Sequence, residues 1–167
     1  MKTTIKKHIA IVCYFLLTGL LLQSCQNQPD YKAVRQQVFD KHDKIMADGE
    51  RAMDNKMKLD TLALLGLKQL KKTNSTLDTL VEKQVITGLI NKLNDADDKM
   101  NNWMRAFKTD VEGKSNKEAV AYFNAEKLKV EQLDSVYKVV LKQTDDYLKK
   151  FNIKPDTAVS SHDHMKM

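Results

Sequence analysis

Residues 116–151, NKEAVAYFNAEKLKVEQLDSVYKVVLKQTDDYLKKF, decide the fold of this chain. Two series of side chains recur in this stretch every seven residues and lie four residues apart, like the a and d positions of a coiled coil. Ala119, Glu126 and Thr144 are imperfect members, because none is a large apolar side chain. The repeat predicts one long helix with a continuous seam. The first series is Ala119, Glu126, Leu133, Val140 and Tyr147, and the second is Phe123, Val130, Tyr137, Thr144 and Phe151.

Two further stripes of mainly apolar residues, with spacings of three and four, precede this helix and predict two more. Asp30 is expected to cap the first helix. The apolar pattern of this helix is weakest over 55–58, where a bend is expected. Ser75 is expected to cap the second helix with Asp78 at its third position, and that helix is expected to end near 110–113. The first stripe is Val34, Val38, His42, Ile45, Gly49, Ala52, Leu59, Leu62, Leu67 and Leu70, and the second is Leu77, Val81, Val85, Leu89, Leu93, Ala96, Met100, Trp103 and Phe107.

The connections between the predicted helices are short. Ser115 and Glu118 match a capping box at the start of the third helix, which Asn152 and Pro155 end. The chain has only 5 Gly and 2 Pro in 167 residues, which disfavours turn-rich β folds. Helices of about 41, 34 and 36 residues joined by short turns form antiparallel neighbours. The predicted fold is all-α, an up-down-up, coiled-coil-like three-helix bundle over 31–152, followed by a disordered tail over 153–167.

The first 24 residues are predicted to be an export signal. Three lysines precede an apolar run over 9–22, and its fourteen residues are too few to span a bilayer. The run ends in Leu22-Gln23-Ser24-Cys25, which resembles the bacterial lipobox. The resemblance implies that the signal is cut before Cys25, that the thiol receives a diacylglyceryl group and that the new amino group is acylated. Residues 25–30 then form a lipidated tether.

The residue after the predicted lipidation site indicates which membrane the protein is sorted to. Gln26 stands there rather than Asp, and the resemblance to sorted lipoproteins then implies the outer membrane of the cell envelope, facing the periplasm. Cys13 lies in the signal, so Cys25 is the only cysteine of the processed chain and no disulfide within it is expected. Two or more acyl chains hold a protein stably on a membrane. The membrane is therefore a predicted partner, through Cys25.

Charge and composition favour a binding or scaffold protein without catalytic activity. The net charge of +6 falls to about +3 without the signal, and the only arginines are Arg35, Arg51 and Arg105, so nucleic-acid binding is not expected. The sequence has no serine elbow, no glycine-rich phosphate loop and no Glu-x-x-His pair, so an enzyme is not expected. The expected partner is an unidentified envelope protein, and exposed seams would also allow a homo-oligomer.

Five residues of the first two helices are predicted to share one layer of the bundle. Counting outward from a turn near Asn74 places His42 opposite a residue near 105 and Met46 opposite one near 101. An imidazole and thioethers are ligands that suit Cu(I), which an indole ring could cover. Core packing without metal is the favoured interpretation of the same residues, since methionine fills helical seams well and thioether–aromatic contacts are favourable on their own. The alternative function is therefore a Cu(I) carrier or buffer that uses His42, Met46, Met100, Trp103 and Met104, a set similar in ligand type only to that of a periplasmic copper-handling barrel.

The tail contains a second candidate metal site. His162, His164, Met165 and Met167 lie within six residues of each other at the end of the chain. Two imidazoles and two thioethers could bind copper, although a flexible terminus has no preset geometry. The distance along the third helix indicates that this site is separate from the His42 layer.

Two short blocks carry a family resemblance. His42-Asp43-Lys44-Ile45-Met46 and the block over 96–107, ADDKMNNWMRAF, are similar to small helical bacterial cell-envelope lipoproteins often labelled viral A-type inclusion protein. Members of that group often continue the first block with Pro and Lys, whereas Ala47 and Asp48 stand here. The resemblance spans most of 31–151. It implies the helical fold and the anchor but no established chemistry.

Overall fold

The structure, a computed structural model, describes residues 29–154. The predicted signal over 1–24, the predicted lipidation site Cys25 and residues 155–167 of the predicted tail lie outside the described residues. The prediction of an all-α bundle of three helices is confirmed. The first of the three is interrupted by a π-helical turn, which joins two α-helical elements into one continuous helical segment. The elements are α1 (Tyr31–Thr61), the π turn (Leu62–Gly66), α2 (Leu67–Thr73), α3 (Thr79–Ala106) and α4 (Asn116–Lys150).

Helices α1 and α4 run side by side in the same direction and share the largest interface of the bundle. At their starts, the backbone N–H of Tyr31 donates to Asn116 Oδ1 at 3.0 Å. Further along both helices, the guanidinium of Arg51 donates to Asp145 Oδ2 at 3.1 Å. Residue numbers therefore rise together along this interface.

Helix α3 runs in the opposite direction to α4. The Trp103 indole, near the end of α3, donates to Glu126 Oε2 in the first third of α4 at 2.8 Å. The Tyr147 hydroxyl, near the end of α4, donates to Glu82 Oε2 at the start of α3 at 2.7 Å. The chain thus passes up, down and up, and the core lies where the three seams meet.

Two helix starts agree with the sequence. The Asp30 side chain accepts from the Lys32 backbone N–H at 3.1 Å, as an N-cap does. The Ser115–Glu118 capping box is also confirmed, since the Ser115 N–H donates to Glu118 Oε2 at 2.9 Å. The Ser115 hydroxyl on this carboxylate lowers the pKa of Glu118. Local hydrogen bonds of this kind need no tertiary contact, so the sequence identifies them.

The predicted start of the second helix is wrong by three residues. Helix α3 begins at Thr79, and Asp78 rather than Ser75 is its N-cap, accepting from the backbone N–H groups of Leu80 and Val81. The competing interaction is an Asx turn, in which Asn74 Oδ1 accepts from the Thr76 N–H and hydroxyl. Those bonds measure 3.2 and 2.7 Å. This turn occupies the residues from which a Ser75 cap would start a helix.

The end of α3 also differs from the prediction. The helix ends at Ala106 rather than near 110–113, and Phe107 is extended with ψ of 130°. The Phe107 ring stacks on Trp103 with centroids 4.9 Å apart, and the Lys108 N–H donates to the Tyr122 hydroxyl at 2.8 Å. These tertiary contacts end the helix at Ala106, several residues before the stop that the sequence pattern predicts.

The seam of α4 is confirmed, because eight of its ten predicted positions are buried and Tyr147 and Phe151 are partly buried. The stripe of α3 needs a correction, since Val81 and Val85 are exposed while Ile86 is buried. The inward positions alternate strictly by three and four from Trp103 back to Ile86. Val85 lies about 100° around the helix from Ile86. The inward residues are Ile86, Leu89, Leu93, Ala96, Met100 and Trp103.

The irregularity of the first helical segment lies at the π turn and not at 55–58, which is regular helix. Leu62 and Leu67 are both buried although they lie five positions apart in the chain. The Leu67 N–H bonds to the Leu62 carbonyl, the i to i+5 pattern of a π-helix. This wider turn keeps both leucines on the core face. It leaves Leu64 and Leu65 exposed to solvent.

Candidate functional site

His42 lies on α1 beside α3 with both ring nitrogens close to a partner. Its Nδ1 is 3.1 Å from Asp43 Oδ1, and its Nε2 is 3.5 Å from Met104 Sδ. An ionised carboxylate only accepts hydrogen bonds, so Nδ1 carries the hydrogen toward Asp43. In a neutral imidazole Nε2 then presents its lone pair to the sulfur. The contact joins residues 62 positions apart in the chain, close to the pairing that the register predicts.

Trp103 forms one wall of the site. Its ring centroid is 5.7 Å from that of His42, with a tilt of 36° between the planes. The indole also stacks on Phe107, and its N–H donates to the buried Glu126. These contacts fix the orientation of the ring, and the indole N–H has a hydrogen-bond acceptor.

The three methionines of the predicted layer differ in exposure. Met100 is 3% exposed and belongs to the core, whereas Met46 is 43% and Met104 is 37% exposed. Met46 and Met104 thus reach solvent from facing helices beside His42. The structure brings the five predicted residues to one level of the bundle. It divides them into buried walls, Met100 and Trp103, and accessible groups, His42, Met46 and Met104.

A cleft of about 280 Å³ opens between α1 and α3 next to this layer. Met46 and Met53 line it from α1, and Met100 and Met104 line it from α3. We call this feature the Met cleft. Met53 was not a predicted site residue, but it follows Met46 by seven residues and so falls on the same helix face. That spacing was the available signal.

The floor of the Met cleft is polar. The Tyr137 hydroxyl, from α4, donates to Asp97 Oδ1 at 2.6 Å, and both residues line the cleft. Burial raises the pKa of the Tyr137 hydroxyl, and the hydrogen bond to Asp97 adds to this effect. The tyrosine therefore stays protonated and serves as a fixed donor rather than as an acid or base near neutral pH.

Groups suited to a hard metal ion do not gather in this region. Across residues 29–154, no three histidine, cysteine or carboxylate side chains converge on a common point. The possible metal ligands in this region are therefore soft ones, the methionine thioethers that line the Met cleft. The second predicted set, His162, His164, Met165 and Met167, lies outside the described residues, as does Cys25.

Comparison of the chain with family models, curated proteins and solved structures found no match. Within residues 29–154, every helix is too short or too polar to cross a membrane.

Proposed function

We propose that this protein is a lipid-anchored helical binding or scaffold protein of the bacterial envelope, facing the periplasm and without catalytic activity. The observation that carries the proposal is the sequence Leu22-Gln23-Ser24-Cys25 after a basic and apolar leader. Acyl chains on Cys25 would place the start of α1, six residues later, close to a membrane surface. Gln26 favours the outer membrane as that surface.

The surface of α1 supports a binding role. Met46, Met53 and Met57 follow each other by seven and four residues, so they form one stripe along the helix. Met53 and Met57 are 61% and 56% exposed, and the exposed Leu64 and Leu65 follow at the π turn. Contiguous exposed apolar side chains mark interaction surfaces, and flexible methionines adapt to several partners. The partner we propose is another protein of the envelope.

The anchor is tested by fractionation of bacterial cells that express the full chain with its leader. Wild-type protein should sediment with membranes and gain the mass of a diacylglyceryl group and an acyl chain. Cys25→Ser should be unmodified and released from the membrane fraction. A wild-type protein of unmodified mass in the soluble fraction would overturn the proposal.

The binding role is tested by photo-crosslinking in cells from single exposed positions. A crosslinker at Met57 should give a discrete adduct, because this position lies on the α1 stripe. The matched control is Leu128 on α4, which is equally exposed, at 59% against 56%. Equal adducts from both positions, or none from either, would contradict specific binding by α1.

A further inference from the structure

We propose that His42, Met46 and Met104 form a binding site for Cu(I) at the edge of the Met cleft. All three ligands lie within residues 29–154, so the inference does not rest on the lipid anchor. It adds a ligand of stated chemistry to the proposed binding role. Imidazole and thioether ligands together select a soft ion such as Cu(I).

The distance between His42 and Met104 suits a bridging ion. Nε2 and Sδ are 3.5 Å apart and come from two different helices. An ion bonded at lengths common for nitrogen and sulfur ligands, ~2.0 and ~2.3 Å, would subtend roughly 110° between two atoms 3.5 Å apart. That angle is compatible with trigonal or tetrahedral coordination. The two helices therefore need no large movement to bind the ion.

Asp43 positions the imidazole for this role. Its carboxylate, 3.1 Å from Nδ1, holds the ring hydrogen on the nitrogen that points away from Met104. Metal-binding histidines commonly donate their other ring N–H to a carboxylate, which fixes the ring and raises its basicity. Asp43 is thus a positioning residue and not a ligand.

Met46 supplies the third ligand. It lies one helical turn after His42 on the same face of α1, and it lines the Met cleft together with Met104. Its thioether is on a flexible, largely exposed side chain that can swing toward the ion. Met100 is not part of the set, because its side chain is packed in the core.

The surroundings favour binding and exchange of the ion. The Trp103 ring, 5.7 Å from His42, shields one side of the site with an aromatic face. Met46 and Met104 leave the other side open to solvent. An ion could therefore enter and leave without unfolding of the bundle, as a carrier or buffer requires.

The test is an anaerobic titration of the full chain with Cu(I) in the presence of a chromophoric Cu(I) competitor. His162, His164, Met165 and Met167 are replaced by Ala and Leu, so that only sites in the bundle are measured. One equivalent should bind, and the fluorescence of Trp103, the only tryptophan, should be quenched at the same stoichiometry. Absence of binding and of quenching would overturn the site and would leave the anchor proposal unaffected.

Variants of single ligands locate the ion. Met104→Leu and His42→Ala should each lower the affinity by more than about 100-fold, and Met46→Leu by about 10-fold or more, since even outer-sphere changes cost 10- to 100-fold. Asp43→Ala should lower it by about 10- to 100-fold while one equivalent still binds. The matched control is Leu128→Ala, which truncates an exposed side chain on α4 outside the Met cleft and should bind like the parent. Equal affinities for Leu128→Ala and Met104→Leu would overturn the assignment.

Discussion

The indole N–H of Trp103 donates to the carboxylate of Glu126 at 2.8 Å, inside the interface between α3 and α4. Glu126 occupies a heptad position that an apolar residue would normally fill, and it is buried. Its other oxygen accepts from Lys129 Nζ at 2.7 Å. A charge that would be costly when buried alone is thus paired on both oxygens. The pair also holds the ring that forms a wall of the candidate site.

Glu126→Ala should destabilise the bundle by about 1–3 kcal/mol, because it leaves the buried Trp103 N–H without an acceptor. Glu126→Gln keeps a carbonyl acceptor in the same place and should cost less. Urea unfolding followed by circular dichroism measures both values. Equal losses for the two variants would show that the hydrogen bond does not contribute to stability.

A buried polar contact joins α1 to α4. Asn55 Nδ2 donates to Thr144 Oγ1 at 2.8 Å and to Asp145 Oδ1 at 2.7 Å. Asn55→Ala should lower the free energy of unfolding by about 1–3 kcal/mol. A double-mutant cycle with Thr144→Val should give a coupling of about 0.5 kcal/mol or more, as residues in direct contact do. Strict additivity of the two single changes would argue against the contact.

The start of α3 can be decided by two alanine substitutions. Asp78→Ala removes the observed N-cap and should cost about 0.5–2 kcal/mol. Ser75→Ala should be close to neutral, because Ser75 lies outside the helix and its side chain caps nothing there. Thermal unfolding of the two variants in parallel provides the measurement. A larger loss for Ser75→Ala would restore the start that the sequence predicted.

Glu82 should make stability depend on acid pH. The hydrogen bond from Lys150 is the main cause that lowers the pKa of Glu82, and the Tyr147 hydroxyl adds to it. A carboxyl whose pKa is lower in the folded than in the unfolded chain stabilises fully above its ordinary value, near 4.5, and loses this contribution as the pH falls further.

The loss of stability between about pH 5 and pH 3 should therefore be smaller for Glu82→Gln than for the wild type. Thermal unfolding at several pH values measures it. Asp60→Asn, which changes an exposed carboxylate on α1, is the control and should follow the wild-type profile. If Glu82→Gln also follows that profile, the Lys150 contact does not stabilise the fold.

Residues near each other in the chain were the ones that sequence reasoning placed well. The Ser115–Glu118 capping box and the heptad seam of α4 were predictable, because both depend on spacings within one helix. The spacing of five between Leu62 and Leu67 also carried a signal for the π turn, since five is neither three nor four nor a sum of threes and fours. The exact ends of α3 were not predictable, because Asn74 and Phe107 form competing contacts that no periodicity expresses.

For the candidate site, register counting placed His42 and Met104 at the same level, but it could not separate accessible groups from buried ones. Burial of Met100 and exposure of Met46 depend on how far α1 and α3 spread apart. Asn55 illustrates the same limit, because nothing in the neighbouring sequence distinguishes it from a surface asparagine. Its partners Thr144 and Asp145 are about 90 positions away and reach it only when α1 packs against α4.

The sequence by itself determined the helical class, the seam of α4 and two of the helix caps. These follow from hydrogen bonds and periodicities that act over a few residues. The tertiary structure alone decided that Nε2 of His42 faces the sulfur of Met104 and that Glu126 meets Trp103. Those contacts join residues far apart in the chain, and only the packing of whole helices against each other sets such distances.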